Sequence, residues 1–131
     1  MFANSPVAVS IPCVDIAIAR AFYGGTMGMT ELDMPGPEGA PMAFYQGGQG
    51  TMLFVYQRST PTKADHTVAG WMVADVDAAA DYLISQGVTL KIYPDMPDVA
   101  WDDRGVASMG GMKTAWFTDP DGNILSIAAM P

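Results

Sequence analysis

Val14-Asp15-Ile16, followed by Ala19 and Phe22-Tyr23, returns later in the chain as Ala74-Asp75-Val76, Ala79 and Tyr82-Leu83, with the same internal spacing. Each copy runs on to a glycine (Gly28, Gly87), a short apolar run, and Asp-Met-Pro, at Asp33-Met34-Pro35 and Asp95-Met96-Pro97. Each then reaches an aromatic pair, Phe44-Tyr45 or Trp116-Phe117, and a tight turn closing on Gly50 or Gly122. The offset between the copies is 60 at the two aspartates and 72 at those last glycines, so the second copy carries the longer loop. A duplication of this size reads as two supersecondary modules that bury their faces against each other.

Within each copy the aspartate stands where a helix N-cap belongs, just before an apolar pattern of helical period. Ile16, Ala19, Phe22 and Tyr23 are expected on one face of a first helix ending near Gly24-Gly25. Val76, Ala79, Tyr82 and Leu83 are expected on one face of a second, stopped by Gln86-Gly87. The remaining apolar runs are rich in β-formers and bounded by Gly, Pro, Asp or Asn. They predict strands over 7–11, 42–46, 51–56, 68–73, 90–93, 114–118 and 123–128, with a weaker one over 29–32. Gly47-Gly48-Gln49-Gly50 and Asp119-Pro120-Asp121-Gly122-Asn123 read as hairpin turns. The predicted fold class is therefore α+β. Two βαβββ modules form a curved mixed sheet with helices outside and a concave face inside. The whole of 1–131 is one domain, with module one over 5–58, a linker over 59–65 and module two over 66–131.

The net charge of -8, with six basic residues scattered singly, argues against nucleic acid, since nothing could neutralise a row of phosphates. No apolar run approaches the ~20 residues of a membrane span. The single Cys13 excludes an internal disulfide or a cysteine-based zinc cluster. With no signal peptide in the first residues, a reducing, cytoplasmic location is expected. Eleven methionines is a high count, and Met52 and Met72, inside strand-like runs, read first as core filling.

The duplicated unit, the two aspartate helix starts and Ala115-Trp116-Phe117-Thr118-Asp119-Pro120-Asp121-Gly122-Asn123 resemble the vicinal oxygen chelate superfamily over nearly the whole chain. That group includes glyoxalase I, bleomycin-resistance proteins, extradiol dioxygenases and fosfomycin-resistance enzymes. The resemblance implies a homodimer. It also implies, for the enzymatic members, a divalent metal held by residues of the first and last strand of each module. The positions that correspond here hold Ala8, Phe54, Val68 and Ser126. None offers an imidazole, carboxylate or thiolate, so no metal and no cofactor is expected.

His66, the only histidine, lies two residues before Val68, which on a regular strand puts it on the same face as a polar anchor or general base. The plain alternative is a strand start beside an exposed linker. Ser10 and Ser126 can orient a ligand by hydrogen bonding or be satisfied by backbone. Phe54 and Tyr56, with Met52 beside them, make either ordinary core or a stacking wall for a flat or cationic ligand. The stretch 94–112 is long for a connection, and its Trp101 either covers a cavity mouth or is pinned to the surface.

The function expected is a metal-free small-molecule binding protein that sequesters a hydrophobic or cationic compound in a cleft between the modules. Ala8, Ser10, Met52, Phe54, Val68, Trp101 and Ser126 are its expected contacts. The alternatives are a glyoxalase-like lyase or isomerase using His66 or Tyr56 as acid/base, and a metal-dependent enzyme with relocated ligands.

Overall fold

The structure is a computed structural model that describes residues 1–34 and 41–129. Pro35, which closes the first Asp-Met-Pro, lies outside the described residues. The chain divides into two compact units, Met1–Lys63 and Ala64–Pro131.

The first unit runs β1 (Ala8–Cys13), α1 (Ile16–Arg20), β2 (Thr30–Leu32), β3 (Met42–Gln46) and β4 (Met52–Gln57). Its sheet has the order β1-β4-β3-β2, with β1 parallel to β4 and the other pairs antiparallel. Asp15 caps the helix as expected, its carboxylate accepting the Ala17 N–H at 2.9 Å. The helix does not stop at Gly24-Gly25. After Arg20 it widens into a π-helical stretch, Ala21–Thr26, that carries both glycines. Strand alternation does the rest. Ile11, Cys13, Ala43, Tyr45, Leu53 and Val55 point to one side and are buried together with Ala19, Phe22 and Tyr23.

Tyr45 places a phenol hydroxyl deep in this core. Its hydroxyl donates to Glu31 Oε1 at 3.3 Å, and Arg20 holds the same oxygen at 3.0 Å. Burial, reinforced by the neighbouring Glu31 charge, pushes the phenol up to about 12. Unfolded tyrosine ionises near 10, so the unfolded chain loses this proton first as pH rises. The contribution is complete below about pH 10 and falls by about 1.4 kcal/mol per pH unit from there to about pH 12. Thermal melts of the native protein should therefore drop more steeply over that window than those of Tyr45→Phe. Parallel curves would contradict the assignment.

The second unit runs β5 (Thr67–Val73), α2 (Val76–Ser85), β6 (Ala100–Trp101), β7 (Ala107–Met109), β8 (Met112–Thr118) and β9 (Ile124–Ala129). The sheet order is β5-β9-β8-β7-β6, again with one parallel pair, β5 and β9. Asp75 caps α2 through the Ala78 N–H at 3.1 Å. Gln86 forms the C-cap, and Gly87 follows at φ +88, the left-handed geometry that ends helices on glycine. The buried stripe of α2 is Val76, Ala80 and Leu83. Tyr82, expected inward, is 44% exposed, and Met72, expected in the core, is 57% exposed.

The second unit departs from the expected strand-helix-three-strand plan. Residues 90–93 do not form a strand, and only Lys91 bridges, its N–H donating to Trp116 O at 2.7 Å. The edge of β8 is taken instead by β7, paired from Ala107 with Thr114 to Met109 with Met112. Thr114, which Tyr93 would have to meet to extend the Lys91 pairing, is already paired with Ala107. The stretch expected as a plain loop over 94–112 thus contains a hairpin. Asp102 closes it by accepting the backbone N–H groups of Arg104, Gly105 and Val106 at 2.9 to 3.0 Å. Gly105 is required there. Its φ is +107, and a Cβ would lie 2.9 Å from Leu90 Cβ.

Arg104 ties this hairpin to α2. Its guanidinium donates to Asp81 at 2.7 Å, to Asp102 at 2.8 Å and to Asp77, and Asp77 also takes the Lys113 ammonium. These donors hold the Asp77 carboxyl below the usual carboxylate range. At Asp102 partial burial pushes upward, but the Arg104 and backbone donors outweigh it and the net shift is downward. Among the described residues, no helix is long and apolar enough to cross a membrane.

Candidate ligand pocket

In the first unit, the sheet face opposite the helix gathers five of the residues expected at a site. Ala8 pairs with Met52, Ser10 with Phe54, and Pro12 with Tyr56 along the parallel β1–β4 ladder. Phe44 stacks on Phe54 with ring centroids 4.7 Å apart and planes at 19°, and Phe54 on Tyr56 at 5.6 Å and 27°. The rings are half-buried, while Ala8 and Ser10 are exposed. This is a row of offset-stacked aromatics on an open pleat, as period-two alternation of Met52, Phe54 and Tyr56 requires.

The second unit holds a concave site. A cavity of about 540 Å³ is lined by the entry to β5 (Asp65, His66 and the first strand residue Thr67), the segment 93–97, Trp116 and Ile124. Its size falls within the range of small-molecule sites. Trp116 occupies in this sheet the place that Phe44 holds in the first, since both precede the buried member of the duplicated aromatic pair. Tyr93 meets Trp116 edge-on, at 5.7 Å and 84°. Trp101 packs against both, at 5.8 Å from Trp116 and 6.5 Å from Tyr93. It is not among the residues that line the cavity, and its ring contacts brace the two that do. The Arg104 cluster, three residues further on, anchors that brace to α2.

Of the residues expected at a site, only His66 lines the cavity. Its side chain is 72% exposed, with Nδ1 3.9 Å from a fully exposed Asp65 carboxylate, so it is a rim group. Val68 does not follow from His66 by simple alternation, because the β5–β9 register shifts between Thr67 and Ala69. Ser126 is half-buried and pairs with both Gly70 and Trp116. Gly70 makes room for it, since a Cβ there would lie 2.6 Å from the serine oxygen. Tyr93, Met96, Trp116 and Ile124 were missed as site residues. The second Asp-Met-Pro and the second aromatic pair were the available signals, but both read as fold markers.

The site and fold define a duplicated α+β protein with an aromatic-walled pocket in its second unit. The chain belongs to the Glyoxalase/Bleomycin resistance protein/Dioxygenase superfamily, which it matches over residues 6–127. Among solved structures it resembles a glyoxalase family protein from Bacillus anthracis, with a TM-score of 0.72 at 21% identity over 100% of this chain and 98% of that one. It resembles a glyoxalase/dioxygenase from Nostoc punctiforme with a TM-score of 0.71 at 17% identity, over 98% of this chain and 92% of that one. TnmS3, an antibiotic binding protein from Streptomyces sp. CB03234, is 26% identical over 100% of this chain and 99% of its own, with a TM-score of 0.67. No curated protein matched.

The divalent metal typical of enzymatic relatives does not fit the residues present. Ala8, Phe54, Val68 and Ser126 supply a single neutral hydroxyl between them, whereas such ions take imidazole, carboxylate or thiolate donors. Among the described residues, no three His, Cys, Asp or Glu side chains converge.

Proposed function

We propose that this protein binds a hydrophobic or cationic small molecule without a metal, in the manner of the bleomycin-resistance branch of its family. The observation that carries the reading is the pocket of about 540 Å³ walled by Tyr93 and Trp116 and floored by proline, methionine and isoleucine side chains. Large apolar surfaces with a few polar groups at the rim suit sequestration, because burial supplies affinity and the rim supplies orientation. The antibiotic-binding role stated for TnmS3, similar along its whole length, supports the same reading. The proposal extends to a cytoplasmic homodimer, on the family resemblance.

A second reading, acid/base catalysis on a bound organic substrate, is favoured by one observation: His66 stands on the rim of the pocket. Tyr56 belongs to the aromatic row of the first unit, stacked on Phe54.

Titrating the protein with flat and cationic compounds while following tryptophan fluorescence tests the binding reading. Quenching should occur with at least one compound class and should be unchanged by EDTA. Loss of quenching on chelation, or one equivalent of metal in protein purified without chelator, would overturn it. If turnover of any bound compound is found, His66→Ala should abolish it and leave the melting temperature nearly unchanged. A fully active variant would remove His66 from the chemistry.

A further inference from the structure

Resting on the binding reading above, we infer that the pocket of the second unit takes a flat, uncharged aromatic ring with a hydroxyl or carbonyl at its edge. The ring lies against the β9 flank of Trp116, over Ser126 and Gly70. The duplication supplies the template. In the first unit one transverse row of the sheet runs Ser10, Phe54, Phe44 and Leu32, each paired with the next. The same register in the second unit gives Gly70, Ser126, Trp116 and Lys91. Residues paired across neighbouring strands leave the same face, so the two rows correspond side chain by side chain. Phe44 carries a ring on its β4 flank, Phe54, stacked at 4.7 Å and 19°. At the equivalent place Trp116 meets a serine and, beyond it, a glycine.

Both rings that touch Trp116 come from chain on the other edge of β8. Tyr93 follows the Lys91 bridge, and Trp101 lies in β6, beyond β7. Among the described residues no ring contact falls on the β9 flank. Ser126 is half-buried, and its hydroxyl makes no hydrogen bond among the described residues. Gly70 keeps the place beside it open, since a Cβ there would lie 2.6 Å from that hydroxyl oxygen. This notch adjoins the cavity, because Trp116 and Ile124, two residues before Ser126 on the same face, both line it. A planar ring placed there gains stacking on the indole that a saturated body of equal size lacks, and the serine hydroxyl bonds its polar edge. Charge does not select the guest. Asp65 and Asp95 line the cavity, while Lys91, which makes no ion pair among the described residues, shares the face of Trp116 on its other side. A guest charge of either sign meets one of these as a like charge, which leaves stacking and shape to decide.

The test titrates the full chain with 2-naphthol and with trans-decahydro-2-naphthol, which has the same carbon skeleton without the flat aromatic surface. Binding is read from the Trp116 indole N–H signal in NMR. 2-Naphthol should bind at least about fivefold more tightly. Intermolecular NOEs should join its ring protons to the Gly70 α-protons. Ser126→Phe, which sets in the notch the ring that Phe54 provides in the first sheet, should weaken 2-naphthol at least about tenfold with the far-UV CD spectrum unchanged. Ser126→Ala should weaken it several-fold, and an unchanged constant would remove the hydroxyl from the site. If the saturated compound binds as tightly as 2-naphthol, or if Ser126→Phe folds and binds 2-naphthol as the native chain does, the inference is overturned and the binding reading stands. NOEs confined to Tyr93 and Trp101 overturn the placement even where Ser126→Phe fails to fold. If neither compound perturbs the Trp116 signal, this inference falls, and the titration with flat and cationic compounds above decides the binding reading by itself.

Discussion

Phe117→Ala is expected to lower the unfolding free energy by about 3–5 kcal/mol, the largest effect of any single side chain in the second unit. Phe117 has no exposed surface, pairs across β8–β9 with the equally buried Leu125, and lies on the side of the sheet that also buries Val76, Ala80 and Leu83 of α2. Removing the ring deletes its transfer free energy and leaves a cavity that rigid strand backbone on either side cannot close. Urea denaturation followed by tryptophan fluorescence measures this directly. A loss below about 1 kcal/mol would place Phe117 outside a packed core. Its neighbour Trp116 points the other way, into the pocket, so Trp116→Leu should cost markedly less stability and act on binding instead.

Asp119→Ala is expected to come next, with a loss of more than about 3 kcal/mol. One carboxylate organises the entire β8–β9 turn. Oδ1 accepts the backbone N–H of Asp121 and of Asn123, both at 2.9 Å, and Oδ2 accepts the Asn123 side-chain amide at 2.8 Å. Asp119 is 5% exposed and Asn123 not at all, so water cannot replace the lost acceptor without opening the turn. Gly122, at φ +88, lets the chain reverse while its N–H reaches back to Asp119 O at 3.1 Å. Asp119→Asn keeps the shape but turns one acceptor into a donor facing donors, and should recover only part of the loss. If Asp119→Ala melts within a degree or two of the native protein, the carboxylate is not organising the turn.

This turn also explains why so much of the fold was legible. Asp119-Pro120-Asp121-Gly122-Asn123 is stabilised by groups within five residues of one another, so its meaning is written locally. The same holds for the Asp15 and Asp75 caps and for the Gly87 stop. Strand alternation is equally local. It put Phe54 and Tyr56 on one strand face, where their rings stack.

The errors sit where distant segments compete. The run 90–93 has the composition of a strand, but β7 pairs with β8 and leaves Lys91 a single bridge at Trp116. The π-helical widening after Arg20 and the register shift between Thr67 and Ala69 are likewise invisible to a periodicity argument that assumes regular elements. Nothing in the spacing of Asp77, Asp81, Asp102, Arg104 and Lys113 announces that they meet, because the contact spans up to 36 positions.

By itself the sequence determined the duplicated architecture, the caps and turns, most of the strand spans, and the lack of donors at the family's metal positions. Those follow from backbone preferences and side-chain chemistry acting over a few residues. Only the tertiary structure decided that Tyr93, Trp116 and the segment after Tyr93 share one hollow, and that Trp101 packs against its wall. A pocket is made by segments remote along the chain, and their meeting depends on which strand wins an edge and which guanidinium finds its carboxylates. Neither outcome is encoded in any single stretch.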